Sequence, residues 1–376
     1  MENLNRAIVF LIDGLHWQAP EKLHMPVLNK LIGQGTYINK SWMIVPHHPT
    51  VGDYGKLHTS SFPNPVLQEG NLFINPKNRM LQEMFGEKPT AFITNTLAYQ
   101  SVSRGFNTII QNPDITDDAV LSKSLEVIES RNPIYLRIHL QTPGNEGRYL
   151  SYTTTNKPYY RNIWGEGSPY VRAIENADVL LGRLVDHLQL IGEWEKTLLI
   201  VSSDQGQSVQ GWHPMIEEDS SITPLLFVGP GIAKGRTLPY FEHTDLSPTI
   251  AWLMGVEAAF GSGGSGKIIQ EVSENLSAEN FSHPQYIRQI NSQINEYNTL
   301  RAHIILAGNV DPYYSSLISY LENELLTPEP FYHQDRFTEW YKAGDTAHLI
   351  EANGKILKLM CEELKKFEAL NKDGHI

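Results

Sequence analysis

Cysteine is almost absent: the chain of 376 residues carries one, Cys361. A lone thiol forms no intramolecular disulfide and no thiolate metal cage, and it gives no reason to expect an oxidising compartment. A basic block is missing as well. Lys and Arg number 30 against 42 Asp and Glu, a formal net charge of −12. A nucleic-acid polymer is disfavoured as a partner, because binding it needs Lys and Arg to replace condensed counterions. A small anionic ligand stays open, since a bound metal reverses the local field. No apolar run reaches the length of a membrane span, and the polar start Met1–Arg6 does not read as a signal peptide. The expectation is a cytoplasmic protein that neither binds nucleic acid nor enters a membrane.

What the chain does contain is 41% hydrophobic residues, enough for one large domain beside a smaller one. Apolar runs at Ala7–Asp13, Thr90–Thr94, Pro133–Gln141, Thr197–Ser203 and Pro224–Val228 show no in-out alternation. Both faces of such strands are buried, as in a parallel sheet covered by helices. From Ser168 to Ile191, Tyr170, Ile174, Ala177, Leu181, Leu184 and Leu188 fall on one helical stripe, and Gly192 stops the pattern. The fold class expected is α/β: a mostly parallel central sheet with helices on both faces, and loops at the carboxyl ends of the strands forming the site. Gly261–Gly266 reads as a flexible tract, and its spacing to Lys267 is wrong for a phosphate-binding loop. Helical patterns then cover Tyr286–Leu306, Tyr313–Leu326, Asp335–Ala343 and Thr346–Leu370. We expect an α/β domain over residues 1–275 and a helical region over 276–376.

Two acids stand directly after apolar runs. Asp13 precedes Gly14, and Asp204 lies in Ser202-Ser203-Asp204-Gln205-Gly206. Either could cap a helix. Two carboxylates delivered to one edge of a parallel sheet could instead hold a cation. In Pro46-His47-His48-Pro49-Thr50-Val51-Gly52 a hydroxyl sits in a loop; Thr50 could be a metal-activated nucleophile or a turn residue. His139 within a strand reads more readily as a satisfied buried histidine than as a ligand. Asp245 reads as a helix cap, with His243 beside it. The aromatic stretch Tyr159, Tyr160 and Trp164, irregular between Gly147 and Ser168, has the length of a functional lid.

Four segments, in order, make the chain resemble the alkaline phosphatase superfamily, in particular its nucleotide pyrophosphatase/phosphodiesterase and sulfatase branches. They are Ala7–Gly14; Thr50 with Leu57-His58-Thr59-Ser60-Ser61-Phe62-Pro63; Ala177–Leu184 with Thr197–Gly206; and His243-Thr244-Asp245-Leu246-Ser247-Pro248-Thr249-Ile250. The resemblance implies that Asp13 and Asp204 ligate a metal and that Thr50 takes the phosphoryl group. It implies that Asn71 binds a phosphoryl oxygen and that His213 is a further metal ligand. Lys56 and His58 are candidates for orienting the anionic substrate, Lys56 as a point charge.

The chain departs from the family at named places. Gln205 stands where Ser-Asp-His-Gly has histidine, and Gln141 and Asn145 stand where Asp-x-x-Gly-His has its acid and imidazole. An oxygen-rich set favours Mg²⁺, Mn²⁺ or Ca²⁺ over Zn²⁺, and one ion rather than two. Sulfatases resemble this set, with an amide at the Gln205 position. They also need Cys/Ser-x-Pro-x-Arg, and Thr50-Val51-Gly52-Asp53-Tyr54 lacks it. The function expected is therefore metal-dependent hydrolysis of a phosphate diester, pyrophosphate or related small anionic ester. The alternatives are a transferase or sulfuric-ester hydrolase using the same pocket, or a member that binds a ligand without turnover. The helical region is a candidate lid or homo-oligomer face.

Overall fold

The apolar run near the start of the chain forms the centre of a nine-stranded sheet. The computed structural model describes residues 4–43, 65–68, 71–74, 79–214, 217–258, 266–324 and 347–372. In chain order the strands are β1 (Arg6–Ile12), β2 (Thr36–Trp42), β3 (Pro65–Gln68), β4 (Asn71–Ile74), β5 (Thr90–Thr94), β6 (Thr108–Gln111), β7 (Tyr135–Leu140), β8 (Thr197–Ser202), β9 (Ile222–Val228), β10 (Arg236–Thr237) and β11 (Phe241–Glu242). Their order in the large sheet is β10-β2-β9-β8-β1-β7-β5-β6, with β11 also on β2; β3 and β4 form a separate hairpin. β9 runs antiparallel to β8 and β2, and the other pairings in the large sheet are parallel. Every residue of β1, β5, β7, β8 and β9 is buried, as expected for strands covered on both faces. The fold is α/β as the sequence indicated.

Helices cover both faces. The first unit holds α1 (Ala19–Lys22), α2 (Pro26–Ile32), α3 (Asp117–Arg131), α4 (Thr142–Tyr152), α5 (Pro169–Leu190) and α6 (Leu246–Leu253). Ile8, Phe10 and Ile12 of β1 pack in one core cluster with Leu28 of α2, Val120 of α3 and Leu181 of α5. Ala7, Val9 and Leu11 point into the other cluster, with Leu246 and Ile250 of α6. The alternate residues of one strand thus serve two layers. The stripe on α5 is the expected one: Tyr170, Ile174, Ala177, Leu181, Leu184 and Leu188 are all buried.

Asp178 lies within that helix and has a clear task. Its carboxylate accepts the backbone N–H of Val27 at 3.0 Å and of Leu28 at 2.8 Å, two donors that the first turn of α2 cannot satisfy internally. Burial raises its pKa, against the two backbone hydrogen bonds that lower it. Asp178→Ala should lower the unfolding free energy by about 1–3 kcal/mol, because the buried Leu28 donor and the half-buried Val27 donor lose their partner. Denaturant titration measures this, and an unchanged midpoint would remove the capping role.

The chain divides into two units, Met1–His283 and Pro284–Ile376. The boundary falls after the expected 275/276. Ile269 and Val272 are buried in the first unit's core, and His283 Nε2 donates to Asp245 Oδ2 at 2.8 Å. The second unit contains α7 (Tyr286–Gly308), α8 (Pro312–Glu324) and α9 (Ala347–Lys372) around Tyr297, Ile304, Tyr314, Leu321, Leu357 and Met360. The helix expected at residues 335–343 lies outside the described residues. Among the described residues, no helix is long and apolar enough to cross a membrane.

Candidate metal and active site

The register of the sheet decides which residues meet. In β7 and β8, His139 and Ser202 both pair with Leu11 of β1. The chain leaves all three central strands at one level. Asp13, Gln141 and the Ser203–Asp204 pair therefore arrive at the same carboxyl edge, where α/β sheets build their sites. The backbone N–H of Asp13 still donates to Leu140 O at 3.0 Å, which fixes the carboxylate at the strand end.

Close backbone approach completes the placement. Gly14 has φ +64°, and a Cβ there would lie 2.8 Å from Gln207 Oε1; only glycine takes this turn without strain. Gly144, in the first turn of α4, faces Asp13 so closely that a Cβ would sit 2.2 Å from Oδ1. α4 can thus begin directly over the acid.

Asp13, His139 and Asp204 offer ligand atoms within 4.8 Å of one another, and all three are buried. His139 Nε2 lies 3.4 Å from Asp13 Oδ2. Gln205 Nε2 donates to Asp13 Oδ1 at 3.1 Å, and Gln141 Nε2 donates to Asp13 Oδ2. The hydroxyl of Tyr99 donates to Asp204 Oδ2 at 2.6 Å. Burial pushes the Asp13 carboxyl up to about 7. Hydrogen bonds from Gln205 and Gln141 oppose that rise, the Asp117 charge adds to it, and Tyr99 opposes it. Burial pushes His139 down to about 4, although the Asp204 charge works the other way. Its imidazole is therefore neutral near pH 7 and keeps a lone pair.

A divalent cation fits this donor set. The side-chain oxygens of Gln141, Gln205 and Gln207 are buried with no hydrogen-bond partner among the described residues. A buried acceptor left unsatisfied costs about 1–3 kcal/mol, and those of Gln141 and Gln205, on side chains that touch Asp13, suit a hard ion. Two carboxylates, an amide oxygen and one imidazole favour Mg²⁺, Mn²⁺ or Ca²⁺.

The expected site residues divide into three groups. Asp13, Asp204 and Gln205 come together. His213 is buried in the loop after Asp204, stacked on Trp212 with ring centroids 4.0 Å apart, and it is not one of the three clustered ligand groups. Asn71 opens β4, with its backbone paired to Gln68. Thr50, Lys56 and His58 lie outside the described residues, as do His47 and His48.

Three expectations change. His139, read from the sequence as a satisfied core histidine, lies against both acids. The irregular stretch begins at Thr153 and not after Gly147, because α4 runs on to Tyr152. Asp245 stands at the N-cap of α6, but its side chain accepts no hydrogen bond from that helix. It accepts from the backbone of Glu242 at 2.9 Å and of Lys267 at 2.8 Å, and pairs with His283.

Glu242, Asp245 and His283 form a second buried group. His283 Nε2 faces Asp245 at 2.8 Å and Nδ1 faces Glu242 at 4.0 Å. Burial lowers its pKa, yet the Asp245 hydrogen bond and both carboxylate charges outweigh that and raise it. With each ring nitrogen directed at a carboxylate, this group reads as a structural imidazolium tether. His243 is occupied elsewhere, 2.8 Å from the Thr223 hydroxyl. A groove of about 780 Å³, lined by residues such as Lys30, Val185, Trp194 and Lys234, includes none of the clustered acids.

The family model described as Sulfatase matches residues 68–256. Among curated proteins, choline-sulfatase of Rhizobium meliloti (strain 1021) is 35% identical over 99 residues, 25% of this chain and 19% of that protein. Arylsulfatase K of Bos taurus is 30% identical over 115 residues, 29% of this chain and 21% of that protein. The matched stretches thus span about a fifth of those relatives' own length. Among solved structures, the phosphonate monoester hydrolase SpPMH from Silicibacter pomeroyi superposes with a TM-score of 0.55 at 14% identity, over 74% of this chain and 78% of that one. Murine ectonucleotide pyrophosphatase / phosphodiesterase 5 gives 0.52 at 13% identity, over 67% and 96%. At such identities the likeness is one of fold.

Proposed function

Because the chain belongs to the sulfatase family, we propose that it hydrolyses a small anionic ester with the help of one divalent cation. The observation that carries this reading is the convergence of Asp13, His139, Asp204 and Gln205 at the carboxyl edge of three adjacent central strands. These four side chains would hold the ion. When bound, a divalent cation lowers the pKa of an attacking hydroxyl and offsets charge on the transferred group.

The chain's own residues would do the rest. Thr50 attacks phosphorus in line and gives up its hydroxyl proton to solvent. The bond to the leaving oxygen breaks, that group departs and takes a proton from solvent, and water later cleaves the phosphothreonine to free the phosphate product and the threonine hydroxyl. Asn71 would hold an oxygen of the transferred group, with Lys56 and His58 around the anion. We assign the site to the first unit, Met1–His283. The single cysteine suits a reducing compartment, so a cytoplasmic location is part of the proposal.

A phosphate diester or pyrophosphate is preferred as substrate over a sulfuric ester. Thr50-Val51-Gly52-Asp53-Tyr54 offers neither Cys/Ser nor the Pro and Arg of the sulfatase nucleophile motif, and the family match begins beyond it, at residue 68. The sulfuric-ester reading is favoured by the names of the curated relatives. A panel of p-nitrophenyl phosphate, bis-p-nitrophenyl phosphate, p-nitrophenyl phenylphosphonate and p-nitrophenyl sulfate, each with added Mg²⁺, Mn²⁺ or Ca²⁺, separates them. The diester and phosphonate should turn over at least about tenfold faster than the sulfate, a gap of about 1.4 kcal/mol in barrier. Faster sulfate turnover would reverse the assignment. No turnover, together with thermal stabilisation by a nucleotide, would support a protein that only binds.

A further inference from the structure

Asp204 is held by a residue that no sequence pattern marked. Tyr99 follows β5, at the start of the short turn Gln100–Val102, and is 1% exposed. Its hydroxyl donates to Asp204 Oδ2 at 2.6 Å, and its ring centroid lies 4.6 Å from that of His139. One side chain therefore touches two of the three clustered groups. It reaches them from a connection on the far side of β7, in the sheet order β1-β7-β5.

The physical consequence concerns preorganisation. A carboxylate with one oxygen engaged by a phenol is held in a single rotation about its Cβ–Cγ bond. The other oxygen, Oδ1, then stands 3.4 Å from the Ser203 hydroxyl. That hydroxyl accepts the backbone N–H groups of Leu15 at 3.3 Å and Gln205 at 3.4 Å, so it is itself fixed. Through Ser203 the turns after β1 and β8 share one support, and Tyr99 holds the carboxylate from the opposite side. The ring meanwhile limits the swing of the His139 imidazole.

Resting on the cation reading above, we propose that Tyr99 is a positioning residue for that ion. Its hydroxyl orients Asp204 and its ring orients His139, so the ion meets a pocket already arranged. Partners of this kind are worth about ten- to a hundredfold in metal affinity.

The test is calorimetric titration of Mn²⁺ into the metal-free full-length protein, its Tyr99→Phe variant and its Asp204→Asn variant. Phe keeps the ring and removes only the hydroxyl. Tyr99→Phe should bind about ten- to a hundredfold more weakly with the stoichiometry of the wild type, and Asp204→Asn should show no binding. The affinity ratio should persist at low temperature, where circular dichroism shows both proteins folded; a purely structural role would leave no ratio there. Wild-type affinity in Tyr99→Phe, with binding still lost in Asp204→Asn, overturns the role of Tyr99 and leaves the cation reading intact. No binding by the wild type overturns both.

Discussion

Asp13→Asn should lower kcat/KM on the best ester of the panel about a thousandfold or more. The reason is specific to this carboxylate. Gln141 and Gln205 both donate to it, it lies 3.4 Å from His139 Nε2, and Gly144 closes over it. Asparagine keeps the shape but supplies one oxygen and no charge, so the neighbouring amide donors would face an amide group. The fold should survive, because the backbone of residue 13 stays bonded to Leu140. Steady-state kinetics, beside an unfolding curve, measure the effect. Activity within tenfold of the wild type would separate Asp13 from the chemistry.

Thr50→Ala should abolish turnover, with a loss on the order of 10⁴-fold or more, because it removes the hydroxyl proposed to form the covalent intermediate. Cation affinity should change little, since the four proposed ligands come from residues 13, 139, 204 and 205. That pairing of outcomes is the useful one. A variant that binds the ion but hydrolyses nothing assigns the nucleophile. A variant that keeps its rate shows that Thr50 is a turn residue, while the cation reading stands. Thr50→Ser should retain measurable activity, because the hydroxyl remains.

Much of this was legible in the sequence, for a physical reason. Strands buried on both faces read as continuous apolar runs, so β1, β5, β7, β8 and β9 were visible, and with them Asp13 and Asp204 at their ends. β2 was not, because Thr36, Asn39, Lys40 and Ser41 break its apolar pattern on a strand with half-buried positions. α4 was hidden by its opening Thr142-Pro143-Gly144, which reads as a turn; the closeness to Asp13 demands that glycine. α3 carries a readable cap, Thr116 accepting from Ala119 at 3.3 Å, but only a weakly apolar stripe.

His139 and Tyr99 show a different limit. A histidine inside an apolar strand looks the same whether it packs in a core or faces an acid. What distinguishes the cases is register, here the pairing of His139 with Leu11, two residues before Asp13. Had β1 and β7 been aligned as parallel neighbours from their apolar runs, the imidazole would have been placed at the level of the acids. Tyr99 had no such signal, because it comes from an irregular connection whose path only the folded chain defines. The glutamines were noted as substitutions, and their buried oxygens, without a hydrogen-bond partner among the described residues, give them their meaning as candidates for an ion's ligand shell.

The central claim is that carboxylates from β1 and β8 share one divalent ion with Gln205 and His139. Anomalous diffraction from crystals of the full-length protein equilibrated with Mn²⁺ tests it most directly. The account predicts a single strong manganese peak within bonding distance of Asp13, Asp204 and the Gln205 side-chain oxygen, and its loss in Asp13→Asn crystals. No peak at that place, or one that survives the substitution unchanged, would contradict it.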